Sequence, residues 1–296
     1  MHEIEQYGAQ GPVDAVRRKY LKKLHDYTGR NIIAYYSGFL SKPNILQADI
    51  NDEDKNGFMM ATHKVKRDKG LDLILHTPGG SIAATQSIVD YLRRMFGKNI
   101  RAIIPQIAMS AGTVIACSCK EILMGKQSNL GPIDPQLYGI PAYGVKSEFR
   151  RACRECKNDS SKIPIWQSII GQYRPTFLSQ CENAIEWSNK FVREQLIDVM
   201  FDGEVDAEDK AKKVVKKLTN YKQTHGWHIH ADECHNIGLN VTMIEGDRDL
   251  QDLILTVHHC FMHTLMNTPS YKIIENHLGA ALVKREAVQI IAQRPI

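Results

Sequence analysis

No apolar run in this sequence is long enough to cross a bilayer. The longest, Leu71 to Leu75 and Ile103 to Ala108, break after a few residues, far short of the roughly 18 that a membrane helix needs. Met1 to Arg18 is polar and charged, without the apolar centre of a secretory signal, so a cytoplasmic chain with no membrane segment is expected. The seven cysteines are odd in number and show no framework of spacings. That excludes a disulfide scaffold and predicts reduced thiols. Cys153 and Cys156 have metal-ligand spacing, but no second such pair exists and they fall in a predicted helix. There they read as half-buried apolar residues. His228, His230, Cys234 and His235, and then His258, His259 and His263, cluster later without completing a zinc pattern. Neither metal nor cofactor is expected. Aromatic residues make up only 7%, and none interleaves the cluster Lys210, Lys212, Lys213, Lys216 and Lys217. With a mild net charge of +5, that cluster reads as a solvated helix face, and no nucleic-acid partner is expected.

The remaining composition is that of a globular protein, with 43% hydrophobic and 24% charged residues over 296 positions. That length allows one large domain or two small ones. Residues 13–28 read as a helix, Ile32 to Tyr36 as a strand, and Asp52 to Arg67 as a helix capped by Asn51 or Asp52. Leu71 to His76 suits a buried parallel strand. Ser81 caps a helix from Ile82 to Phe96, whose inward positions follow a helical period, and Gly97 ends it. A strand Ile100 to Pro105, a short helix Thr113 to Ser118 and a strand Glu121 to Met124 follow. This alternation implies right-handed crossovers and a parallel sheet flanked by helices, hence an α/β fold. Residues 145–157 and 163–218 read as helices broken near Pro175 and Gly203. A helix Ala231 to Ile237, a strand Asn240 to Ile244 and a helix over 248–266 come next. Trp166, Trp187 and Phe191 fall on these helices as packing residues. The division expected is an N-terminal helical segment 1–28, a main domain 29–245 and a helical extension 246–296.

Two strand-to-helix turns carry the chemistry. In Thr77-Pro78-Gly79-Gly80-Ser81, two glycines admit backbone angles closed to other residues. They also bare N–H groups at a helix start, as an oxyanion hole, a phosphate cradle or a plain turn would. In Ala108-Met109-Ser110-Ala111-Gly112, small residues flank a serine at a helix mouth. Such a serine serves either as an N-cap or as a nucleophile beside amide donors. Both turns follow parallel strands one crossover apart, so both open on the same sheet edge, where α/β clefts form.

The stretch from Asp72 to Gln136 resembles the caseinolytic-protease/crotonase superfamily. Thr77-Pro78-Gly79-Gly80 is similar to its glycine turn, and Met109-Ser110-Ala111-Gly112 to its nucleophile turn. Asn129-Leu130-Gly131-Pro132-Ile133-Asp134-Pro135-Gln136 resembles one branch, the serine dehydrogenase proteinases, relatives of signal peptide peptidase A. Asp232 to Val241 resembles that family's closing helix and strand. The resemblance implies a sheet built of repeated β-β-α and βα units with a helical C-terminal arm. It implies that Ser110 attacks a peptide carbonyl to give an acyl-enzyme, with Gly79, Gly80 and Ala111 amides as the oxyanion hole.

The resemblance leaves the base open. Caseinolytic proteases use a histidine downstream of the serine, but counting on by that spacing reaches Pro135, and no histidine occurs between His76 and His225. The signal-peptide-peptidase relatives use a lysine, which works if burial lowers its pKa. Lys146, 36 residues beyond Ser110, is the first candidate, at the start of a predicted helix. Lys157 and Lys162 come behind it, and His225 is a reserve. Asp134, between two prolines, orients a base, contacts substrate or simply holds a turn. A peptide or protein substrate and a homo-oligomer built through the helices after residue 160 are implied. Two rivals share the fold: a catalytically silent scaffold or regulatory protein, and a crotonase-type enzyme acting on acyl-coenzyme A.

Overall fold

The structure, a computed structural model, describes residues 12–219 and 226–286. Its first elements are α1 (Pro12–Thr28), β1 (Asn31–Ser37), α2 (Asp54–Ala61), β2 (Leu71–His76), α3 (Ile82–Phe96) and β3 (Ile100–Ile104). Next come β4 (Ile107–Ala108), α4 (Ala111–Cys117), β5 (Glu121–Met124) and β6 (Asn129–Leu130), then the hairpin β7 (Gln136–Leu137) and β8 (Ile140–Pro141). The helices α5 (Ala142–Asn158), α6 (Ile163–Ile170), α7 (Phe177–Gln195) and α8 (Ala207–Leu218) follow. β9 (Ile229–His230), α9 (Ala231–Ile237), β10 (Val241–Met243), α10 (Arg248–Asn267), β11 (Ser270–Asn276) and β12 (Ala281–Arg285) complete the described chain.

Seven strands form the main sheet in the order β10-β5-β3-β2-β1-β11-β12. It is parallel from β10 to β1 and antiparallel at β11 and β12. The apolar run of β2 needs cover on both faces and has it, since all six residues are buried. Strand alternation divides the core in two. Ile33, Tyr35, Leu73, Leu75 and Ala102 face one apolar cluster, which includes residues of α2, α3 and α4. Ile32, Ala34, Tyr36, Ile74 and Ile103 face the other, with Leu21 and Leu24 of α1 and Phe261 of α10. Buried Asp72 is neutralised by two guanidinium groups, Arg30 Nε at 2.6 Å and Arg101 at 2.7 and 2.8 Å.

The segment expected to run on as helix from 246 divides instead. α10 is helical, and the chain then returns as β11 and β12 to extend the sheet beside β1. β11 does not read as a buried strand because Lys272, Glu275 and Asn276 lie inside it. Each is buried only because a distant group satisfies it. Lys272 meets Asp54, Glu275 meets Arg17 and Arg18, and Asn276 donates to the Ala61 carbonyl. The helix expected over 52–67 is also shorter, ending at Ala61, and its N-cap Glu53 makes no side-chain cap bond.

His76, at the end of β2, is fully buried. Its Nδ1 lies 3.1 Å from the Ser37 carbonyl oxygen and its Nε2 3.1 Å from the Gln106 side chain. Burial lowers its pKa to about 4, against smaller opposing contributions from those hydrogen bonds. The unfolded chain, with an ordinary histidine, therefore takes up the proton first as pH falls. The stabilisation is present above about pH 6.5 and is lost as pH drops through about 4. This one ring is expected to contribute about 3 kcal/mol of the loss. Urea midpoints measured between neutral pH and pH 4 should fall steeply for the natural protein and less steeply for His76→Gln.

Candidate active site

The two turns picked out in the sequence are stitched together. The Thr77 amide donates to the Ile107 carbonyl (3.2 Å), and the Met109 amide donates to the Thr77 carbonyl (3.0 Å). Gly79 has φ +101°, and a Cβ there would sit 2.8 Å from the Ser110 Cβ and 3.1 Å from the Ala111 nitrogen. Only glycine lets the turns meet this closely. Gly80 has φ +152°, and a Cβ there would lie 2.3 Å from the Ile50 nitrogen. Ile50 itself clamps the turn, donating to the Gly79 carbonyl (2.7 Å) and accepting from the Ser81 amide (2.8 Å).

The clamp is anchored from below by a buried ion pair. Lys272 Nζ donates to the Asp49 carbonyl (2.6 Å) and to both Asp54 carboxylate oxygens (2.9 and 3.0 Å). Asp54 also accepts from the Tyr35 hydroxyl (2.8 Å) and the Asn51 amide (3.1 Å). Burial chiefly pulls the Lys272 pKa down, the neighbouring Asp54 opposes it, and the Lys284 charge adds a smaller lowering. An ion pair sealed this deeply costs desolvation energy and holds only with such a full set of partners. It fixes both neighbours of Ile50 in the chain.

Ser110 sits at φ +50°, ψ −111°, a conformation that L-residues avoid. It occupies the N-cap position of α4, yet its hydroxyl makes no cap hydrogen bond. The capping role that the sequence left open is therefore not the one it performs. The strain is held by its neighbours. Gly112 donates to the Met109 carbonyl (2.7 Å), and a Cβ on Gly112 would strike Thr77 Cγ2 at 2.6 Å. The Thr113 hydroxyl, fully buried, lies 3.1 Å from the Ala108 carbonyl oxygen and 2.8 Å from that of Gly131, and accepts from the Gly131 amide (3.1 Å). That link brings Ile133, Asp134 and Pro135 against α4.

Ser110, Gly79, Gly80, Ala111 and Asp134 all line one cavity of about 620 Å³. Asp49 lies on the same wall as the glycine turn, and Ala184, Trp187 and Ser188 of α7 close it. The Ser188 hydroxyl is buried without a hydrogen-bond partner among the described residues. Three candidate amides differ in availability. The Gly79 amide is taken by the Thr77 hydroxyl at 3.2 Å. Among the described residues, the amides of Gly80 and Ala111 have no acceptor. Burial pushes the Cys119 and Cys234 thiols up to about 12, and no cysteine lines this cavity. A larger cavity, about 1010 Å³, lies between α7 and α8 but contains no comparable nucleophile turn.

Lys146 lies on α5, one helix beyond the cavity wall. Its Nζ is 3.2 Å from Glu182 of α7, and it does not line the cavity. Lys162 pairs with Glu155 at 3.5 Å. His225 falls outside the described residues. Cys153 is exposed and Cys156 half-buried on α5. Among the described residues no group of three or more histidine, cysteine or acidic side chains is placed to hold a metal ion. Nor is any helix among them long and apolar enough to cross a membrane.

The sequence matches the ClpP-like SDH-type serine proteinases over residues 6–262. The chain belongs to this family. The ClpP-like proteinase fold accounts for the mostly parallel sheet and the shared edge on which the two turns open. Two relatives from Methanocaldococcus jannaschii are uncharacterised proteins. MJ0137 is 31% identical over 192 residues, and MJ1495 is 30% identical over 192 residues. The matched stretch is 65% of this proteinase-family chain in both cases, and 60% and 59% of the relatives.

Several contributors to the proteinase-like site carry no motif. Ile50 and Asp49 stand in a loop with nothing to mark them. Lys272 and Asp54 are 218 positions apart. Trp187 reads as ordinary helix packing and Ser188 carries no signal, because a helix face shows its neighbour only once it is packed. Thr77 alone had a signal, as the residue opening the glycine turn.

Proposed function

We propose that this protein is a serine peptidase that cleaves peptide bonds through an acyl-enzyme on Ser110. The observation that carries this reading is the strained Ser110, whose hydroxyl is not used as a cap, beside two amides that have no acceptor among the described residues, all on one cavity. Ser110 Oγ attacks the peptide carbonyl carbon. The resulting oxyanion accepts from the Gly80 and Ala111 amides, each such donor contributing on the order of a hundredfold or more in rate. The base that takes the Ser110 proton passes it to the leaving amine. Water, activated by the same base, then releases the acyl group and restores the hydroxyl.

Lys146 is the base in this reading. Its pair with Glu182 must open, and its amine must arrive uncharged, before it can accept a proton. α5 packs directly on α7, which walls the cavity, so Lys146 must also pass this helix to reach Ser110. Among the described residues no lysine or histidine lines the cavity, which favours the silent-scaffold reading as the second. A homo-oligomer is supported by Ile163, Ile165 and Ile169, which α6 leaves exposed.

The deciding experiment is labelling by a fluorophosphonate probe, with the adduct located by peptide mass. The peptidase reading requires a Ser110 adduct in the natural protein. Lys146→Ala should slow labelling by at least about a hundredfold with folding intact. No adduct at all would support the scaffold, or an acyl-coenzyme A enzyme if such a thioester is turned over. A full labelling rate in Lys146→Ala would move the base elsewhere.

A further inference from the structure

The lysine cluster that reads as a solvated helix face acquires a second wall in the folded chain. Lys212, Lys213, Lys216 and Lys217 of α8 line the 1010 Å³ cavity together with Lys190 and Arg193 of α7. Among the described lining residues Glu186 is the only acidic side chain. Some of the charge is answered locally. Lys212 lies 3.3 Å from Glu208, Arg193 lies 3.7 Å from Glu208, and Lys190 lies 3.9 Å from Glu194. Lys213, Lys216 and Lys217 have no carboxylate partner among the described residues. Lys212 with Lys216, and Lys213 with Lys217, are like-charge pairs at i, i+4, an arrangement that destabilises a helix. Glu208 answers Lys212, but among the described residues no carboxylate offsets the repulsion between Lys213 and Lys217, whereas an anion in the cavity would.

This cavity is separate from the Ser110 cavity. Ala184, Trp187 and Ser188 recur at i, i+3 and i+4 and face Ser110. Glu186, Asn189, Lys190 and Arg193 recur at i, i+3, i+4 and i+7 on the far side of the same helix. The cations are mostly lysines, which bind phosphate as point charges. Lys213 and Lys217 are one turn apart, about 6 Å along the axis, which suits successive phosphates of an extended nucleic-acid strand or alternate phosphates of an inorganic chain.

We propose that the α7–α8 groove binds a linear chain of phosphates, of the kind found in single-stranded nucleic acid or inorganic polyphosphate. The test uses the full chain with two probes, a fluorescent oligothymidylate and long-chain inorganic polyphosphate, in titrations over a range of salt. Binding of one or both is expected, with log K falling against log salt at about −0.7 per phosphate held. Which probe binds identifies the source. Lys213→Gln/Lys216→Gln/Lys217→Gln on α8, and separately Lys190→Gln/Arg193→Gln on α7, should each weaken binding by about tenfold or more. Fluorophosphonate labelling of Ser110 should not change, and Lys64→Gln/Lys66→Gln/Lys69→Gln should bind as the natural protein does. The proposal is overturned if neither probe binds at low salt, or if only the α8 variant loses binding. It is also overturned if polyglutamate competes as well as polyphosphate, which would make the groove a site for acidic polypeptide.

Discussion

Replacing Ser110 by alanine is expected to abolish peptide hydrolysis, lowering kcat by up to about a millionfold, the scale seen when a serine nucleophile is removed. The fold should survive. The hydroxyl makes no cap hydrogen bond, so its loss removes no structural bond of that kind. The backbone strain remains, since alanine is no freer than serine at φ +50°. Unfolding temperature within a degree or two of the natural protein, with no turnover and no probe adduct, is the expected result. Residual turnover near the natural level would mean that another group attacks the carbonyl.

Replacing Gly80 by alanine should have the next largest effect, by a different route. The new Cβ would lie 2.3 Å from both the nitrogen and the oxygen of Ile50, and backbone atoms cannot swing aside. Ile50 cannot retreat easily, because the loop on both sides of it is tied to Lys272 and Asp54. The glycine turn must move instead, and the Gly80 amide moves with it. Loss of one oxyanion donor predicts a fall in kcat of about 10²–10³ with little change in KM. The clash adds a stability loss of about 1–3 kcal/mol. Steady-state kinetics on a peptide substrate and a thermal melt check both. A fall in KM-dependent binding with kcat preserved would contradict the role given to that amide.

The local elements were readable because their signals are local. β2 announced itself by a short, mostly apolar run, and α3 by its period, its Ser81 cap and Gly97 at its end. The glycine and serine turns stood out because each puts small residues between a strand and a helix. Elements closed by distant partners were not readable. β11 hides buried Lys272, Glu275 and Asn276, whose partners lie more than two hundred positions away. The lysine cluster gave the charge of one helix face but not the facing cations of α7.

From its residues alone, this chain specified a parallel α/β sheet and a glycine turn and a serine turn opening on one edge. Hydrophobic period, capping and glycine conformation are properties of short segments. The tertiary structure alone decided that Ser110 is held off its cap, which amides lack acceptors among the described residues and how Lys272 anchors the loop that clamps the glycine turn. It also decided that Lys146 pairs with Glu182 outside the cavity. Each of these depends on which distant group a side chain or amide meets, and that is settled by packing rather than by neighbours in the chain.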